Sequence, residues 1–149
     1  MKKLRIYVDM DGVIADFDKA KKLLPEPCKG RPDLHVDYLY LDVIPGAEEA
    51  MSYFNEHHEV FIASTPPWTR PKVWSDKRVW LEQNFPYLKR KLILTHRKDL
   101  LIGDVLIDDS QYRGQPDFKG EWFWFNQNWT NKNWKACLKF IKKLENEKI

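Results

Sequence analysis

Leu4-Arg5-Ile6-Tyr7-Val8 followed at once by Asp9-Met10-Asp11-Gly12 is a short apolar run that stops on two carboxylates and a glycine. Such a run reads as a buried strand, and its polar end as a loop at one edge of a sheet. Working outward, Asp16 to Leu24 reads as a helix, and Pro25, Pro27, Gly30, Pro32 and Pro45 break the periodicity after it. Pro45-Gly46 leads into a helix over 47–57, with Ala47, Ala50, Met51 and Phe54 on one face. Glu59 to Ala63 is a second strand. Pro71 to Asn84 is a helix, with Trp74, Leu81 and Phe85 expected inward. Lys91 to Leu94, Val105 to Ile107 and Trp122 to Phe125 give three more strands. Asn133 to Glu145 closes the pattern with a helix striped by Trp134, Cys137, Leu138, Ile141 and Leu144. Strands that read as apolar runs and alternate with helices predict an α/β fold. Its core is a Rossmann-like parallel sheet flanked by helices and covered on both faces.

The chain's size and composition agree with one such domain. It has 149 residues, 43% of them hydrophobic and 32% charged, which suits one soluble globular unit rather than a fibre or a disordered segment. No apolar run approaches the roughly 18 residues of a membrane span, and Asp9 and Asp11 interrupt the only N-terminal stretch that could serve as a leader. Two cysteines, Cys28 and Cys137, cannot frame a disulfide-stapled module, and they read as free thiols of a cytoplasmic protein. The net charge of +3 does not itself call for nucleic acid. Much of the excess lies near the C-terminus, where Lys135, Lys139, Lys142 and Lys143 read as the wet face of the last helix.

In an open parallel sheet, ligands bind beyond the carboxyl ends of the strands. Those positions hold Asp9 and Asp11 after the first strand, Ser64 and Thr65 after the second, His96, Arg97 and Lys98 after the third, and Asp108 and Asp109 after the fourth. Crowded carboxylates repel one another unless a cation neutralises them, and an all-oxygen set suits Mg²⁺. With a lysine nearby, the set is a receptor for phosphate. His96 and the His57-His58 pair match no zinc spacing.

Asp9-Met10-Asp11-Gly12-Val13-Ile14-Ala15-Asp16-Phe17 resembles the first motif of the haloacid dehalogenase superfamily of phosphatases, and most narrowly that of the 5′(3′)-deoxyribonucleotidases. The resemblance runs on in order. Val60 to Pro66 is similar to the second motif, Leu94 to Lys98 supplies the third-motif lysine, and Gly103 to Asp109 is similar to the fourth, with Arg113-Gly114 shortly after. The second motif reads Ala63-Ser64-Thr65-Pro66 where the family more often has Thr-Ser-Pro, which places Ser64 at the phosphate-binding position. The resemblance implies one domain over residues 1–149, with residues 18–44 as a much reduced cap insertion.

It also implies a mechanism. Asp9 is the nucleophile that carries the phosphoryl group, and Asp11 is the general acid and base. Mg²⁺ is held by Asp9, Asp109 and the main-chain carbonyl of Asp11, while Asp108 orients a metal-bound water. Lys98 neutralises the phosphoryl oxygens, Ser64 and Thr65 complete the cradle, and Phe17 lies near the substrate. Trp68, just past the second motif, is a further candidate for stacking on a base. The expected substrate is a small phosphomonoester, a nucleoside or deoxynucleoside monophosphate. The alternatives are another small phosphomonoester or, in a different class, a nucleic-acid 3′-end phosphatase or binding module. A homo-oligomer stays open.

Overall fold

The computed structural model describes residues 1–125 and 134–147. Its elements in chain order are β1 (Arg5–Val8), α1 (Phe17–Lys22), α2 (Pro32–His35), α3 (Ala47–His57), β2 (Glu59–Ser64), α4 (Pro71–Asn84), β3 (Leu92–Leu94), β4 (Val105–Asp108), β5 (Glu121–Trp124) and α5 (Trp134–Glu145), with short 3-10 turns between them. The five strands form one sheet in the order β3-β2-β1-β4-β5. Every pairing is parallel: Ile6 lies opposite Val60 on one side and Val105 on the other.

That order has a direction. The chain steps from β1 to β2 to β3 one way, returns across β1 to β4, and steps on to β5 the other way. Parallel crossovers are right-handed, so links that step in opposite directions lie on opposite faces. Strand alternation assigns the faces. Ile6, Val8, Val60, Ile62, Val105 and Ile107 pack with Ala50, Met51 and Phe54 of α3, Trp80 and Leu81 of α4, and Cys137 and Ile141 of α5. Tyr7, Ala63 and Leu106 point the other way and cluster with Phe118, Leu101 and partly buried residues of the strands themselves. The two faces are thus covered unequally. Three long helices lie on one, and the short connections around 98–101 and 115–118 lie on the other.

Two helices differ in detail from expectation. In α4 the inward residues are Val73, Asp76, Lys77, Trp80 and Leu81, while Trp74 is only half-buried. The apolar positions of α4 are too few to single out one face, and Lys77 turns inward to meet Asp11 and Ser64. In α5, Trp134, Cys137, Ile141 and Leu144 are buried, Leu138 packs partly against them, and the four lysines named above are exposed. Asn133, expected to open the last helix, lies outside the described residues. Cys28 and Cys137 are both free thiols. No helix among the described residues is long and apolar enough to cross a membrane.

Residues 23–44 contain α2 and two 3-10 turns, and the segment is tied down at several points. The Trp80 indole N–H donates to the Leu41 carbonyl at 2.8 Å, and Arg70 donates to the carbonyls of Asp33 and Val36 at 2.9 and 3.1 Å. Its buried Tyr38 stacks on Phe17 at 5.5 Å between ring centres.

Candidate active site

The reversal of strand order leaves a crevice beyond the carboxyl ends of β1 and β4, where side chains from distant parts of the chain can meet. A cleft of about 290 Å³ opens there, with Asp9, Asp11, Phe17, Thr65, Lys98, Asp108, Asp109, Arg113 and Gln115 among its lining residues. Asp9 continues β1, and its N–H donates to the Ile107 carbonyl at 2.8 Å, so its side chain is set by the sheet. After it the chain turns sharply, with the Met10 carbonyl accepting from the N–H groups of Val13, Ile14 and Ala15. Gly12 lies within this turn at φ +81°, where a Cβ would fall 2.0 Å from Asp109 Oδ2. Both the left-handed backbone and the proximity of that carboxylate require glycine.

The Lys98 ammonium is buried between two acids. It donates to Asp9 Oδ1 at 2.9 Å and to Asp108 Oδ2. Asp108 spends its other oxygen on the Ser110 N–H at 2.9 Å. Asp9, Asp108 and Asp109 each bring a carboxylate oxygen to one spot, all within 4.8 Å of one another. The electrostatics follow from this crowding. Burial, and then the Asp9 charge, push both Asp108 and Asp109 above the ordinary carboxylate range. Burial alone would lower Lys98, but Asp9 and Asp108 more than offset it and hold the ammonium charged. A hard divalent cation fits this donor set: three carboxylate oxygens lie close together, and a divalent charge would relieve the repulsion that raises Asp108 and Asp109.

Asp11 stands apart from that cluster. Its Oδ2 accepts from the Lys77 ammonium at 2.7 Å, and Lys77 also donates to Ser64 Oγ at 2.8 Å. Asp11 Oδ1 is buried and has no partner among the described residues. Burial raises the Asp11 pKa, and Lys77 only partly opposes it. Lys77 has almost no exposed surface, and its ammonium lies 5.0 Å from the centre of the Tyr38 ring. The motifs do not contain it. The one available signal is a charged residue four positions before Leu81 on the buried stripe of α4, and that stripe is legible only once the inward face is known.

The structure therefore brings Asp9, Asp11, Phe17, Thr65, Lys98, Asp108 and Asp109 to one cleft. Ser64 is buried beside it, engaged with Lys77, while the Thr65 hydroxyl donates to the Thr95 carbonyl at 2.7 Å. Trp68 is largely exposed and packs edge-on against Trp74 and His96, away from the residues that line the cleft. The buried His58 accepts at Nδ1 from the Leu4 N–H and meets Glu145 at Nε2, a structural contact at the opposite end of β1. His96 meets the Pro66 carbonyl at 3.1 Å.

Comparison with known proteins agrees with this arrangement. Residues 30–141 match the family described as 5′ nucleotidase, deoxy (Pyrimidine), cytosolic type C protein. A protein of Vibrio phage KVP40 that carries the name 5′(3′)-deoxyribonucleotidase is 35% identical, over 78% of this chain and 72% of its own length. The human 5′(3′)-deoxyribonucleotidase, cytosolic type, is 31% identical, over 78% of this chain and 76% of its own. The fold resembles that of a Bacillus subtilis HAD-hydrolase, YfnB, solved bound to magnesium, with a TM-score of 0.63 at 12% identity over 99% of this chain and 100% of the other. By sequence and by fold, the chain belongs to the 5′(3′)-deoxyribonucleotidase family, phosphatases built on the haloacid dehalogenase fold.

Proposed function

We propose that the protein hydrolyses nucleoside or deoxynucleoside monophosphates to nucleoside and phosphate, through a phosphoryl group held covalently on Asp9. The observation that carries this reading is the division of labour between two aspartates two residues apart. Asp9 is gripped by Lys98, whereas Asp11 is half-buried and held by Lys77 through one oxygen, its other oxygen lying buried and unpartnered among the described residues. A carboxylate clasped by an ammonium suits a nucleophile, and one whose pKa desolvation raises suits a proton carrier.

In the first step an Asp9 oxygen attacks phosphorus and the ester P–O bond breaks. Asp11 gives its proton to the departing oxygen. In the second step water attacks the phosphoryl-Asp9, Asp11 accepts the proton from that water, and inorganic phosphate leaves with Asp9 restored. Lys98 balances charge on the non-bridging oxygens throughout. Asp9, Asp109 and the main-chain carbonyl of Asp11 would hold Mg²⁺, with Asp108 fixed behind them by Lys98 and Ser110. The ion, when bound, supplies positive charge against the phosphoryl oxygens.

Residues 18–44 serve as the reduced cap of a single domain, packed on α4 through Leu41, Val36 and Asp33. Phe17, with one ring face on Tyr38, faces the substrate. The place of action is the cytoplasm, consistent with two free thiols and a human relative named as the cytosolic type. A panel of phosphate monoesters assayed with Mg²⁺ and with EDTA tests the reading. Metal-dependent release of phosphate, fastest from nucleoside monophosphates, is expected. Preference for a sugar phosphate would move the substrate to another small phosphomonoester, and no release from any ester would overturn the proposal.

A further inference from the structure

Gln115 is a residue that neither the motifs nor the mechanism above uses, yet it is almost wholly buried and lines the catalytic cleft. Its orientation is fixed by chemistry. The Arg113 N–H donates to Gln115 Oε1 at 2.7 Å, and a backbone N–H can only be met by the oxygen end of an amide. The nitrogen end therefore faces the other way, and Nε2 is buried with no hydrogen-bond partner among the described residues. Buried amide donors are nearly always satisfied in folded proteins, so an orphan in a reaction cleft calls for an acceptor.

The loop that presents this amide is held from several sides. The Lys98 N–H donates to the Arg113 carbonyl at 2.8 Å, which ties the loop to the segment carrying the buried lysine. Gly114, at φ +94°, fits so closely against Asp99 that a Cβ would fall 2.5 Å from Asp99 Oδ1. Asp99 is in turn held by both arms of Arg97, at 2.9 and 2.7 Å. The amide is thus positioned before any ligand arrives, with no freedom to turn its oxygen inward. A pre-set neutral donor beside Lys98 suits an anionic oxygen and does not suit a cation.

We infer that Gln115 is a substrate-binding residue whose side-chain N–H donates to a non-bridging oxygen of the substrate's phosphoryl group. This rests on the phosphatase reading above and extends it to a contact from the loop after β4. Inorganic phosphate carries the same oxygens without a nucleoside, so it isolates the contact. Gln115→Glu keeps the oxygen that accepts from Arg113 and replaces the donor with a second acceptor. Gln115→Met removes the donor without adding charge.

The experiment measures phosphate affinity by calorimetry with Mg²⁺ present, together with the melting temperature of each protein. Both variants are expected to bind phosphate about 10- to 100-fold more weakly, the usual worth of a hydrogen bond to a charged partner. Gln115→Glu should keep a melting temperature near the parent's. If the parent binds phosphate and both variants bind it equally well, the inference falls while the phosphatase reading stands. Variants that keep phosphate but lose nucleoside monophosphate would assign the amide to the nucleoside and overturn it too. A parent that binds no phosphate and cleaves no ester overturns both readings.

Discussion

Asp9 and Asp11 show how neighbouring residues of one type are separated by their partners. Lys98 and the Ile107 carbonyl fix Asp9, and Lys77 fixes one oxygen of Asp11. Asp9→Asn should abolish turnover and leave the melting temperature equal or higher, because it removes one negative charge from a crowded site. A steady-state assay with a thermal melt checks both. Lys77→Met leaves the half-buried Asp11 carboxylate without its cation, and losing a hydrogen bond to a charged partner typically costs about 1.5–3 kcal/mol. Urea unfolding should show a loss of that order, with kcat lowered as well. Asp11→Asn made in the Lys77→Met background should recover part of the stability, since the unpaired charge is then gone. Full additivity across that cycle would deny the coupling. Asp9, Asp108, Asp109 and Lys98 were legible in the sequence because they follow apolar runs, and a parallel sheet collects strand ends at one edge. Lys77 and Gln115 were not, because each depends on which way a side chain turns within an element that has no distinctive pattern.

Among the elements, α5 makes the tie that secures the far end of the sheet. Its Glu145 carboxylate accepts from the Tyr53 hydroxyl at 2.6 Å and lies 2.5 Å from His58 Nε2, and the Leu4 N–H donates to His58 Nδ1. Because Nδ1 accepts, His58 is the neutral tautomer that donates from Nε2. Although burial raises the Glu145 pKa, Tyr53 and His58 outweigh it and hold the carboxyl below its ordinary value. A carboxylate stabilised in the folded state contributes at neutral pH, and the contribution is lost as pH falls through its folded pKa. Glu145→Gln should lower stability by about 1–3 kcal/mol at pH 7. The difference from the parent should shrink in acid below the ordinary carboxylate range. Denaturant melts from pH 7 down to pH 3 check the sign. The helix stripe predicted burial of Trp134, Cys137, Ile141 and Leu144, but not this polar clasp, because a glutamate at the last residue of a helix ordinarily faces water.

At the scale of the whole molecule, one edge of one sheet gathers charges from across the chain. Asp9 and Lys98 are 89 residues apart, and Lys77 and Asp11 are 66 apart. Activity should vanish in EDTA, return with Mg²⁺ and be inhibited by Ca²⁺, whose longer bonds and higher coordination number differ from those of Mg²⁺. A rate that survives excess chelator would sink the cation's role. The parallel sheet followed from the alternation of apolar runs and helices. The unequal cover of its faces was hidden, because the sequence shows how long each connection is but not on which side it passes.

That asymmetry has a consequence for how the protein breathes. Amide protons exchange with solvent through local openings, and the segments that open most easily are those with few buried apolar contacts. The face behind Tyr7, Ala63 and Leu106 is closed by Phe118, Leu101 and short turns rather than by helices. Those turns carry Lys98, Arg113 and Gln115, whereas Asp9 and Asp11 belong to the strand and turn packed beneath the helices. Deuterium uptake should therefore be faster over 97–103 and 110–118 than over β1 and α3. Adding phosphate with Mg²⁺ should slow it mainly in the faster group. The two walls of the catalytic cleft would then differ in how readily they open, the thin one gaining protection from the ligand and the helix-backed one changing little.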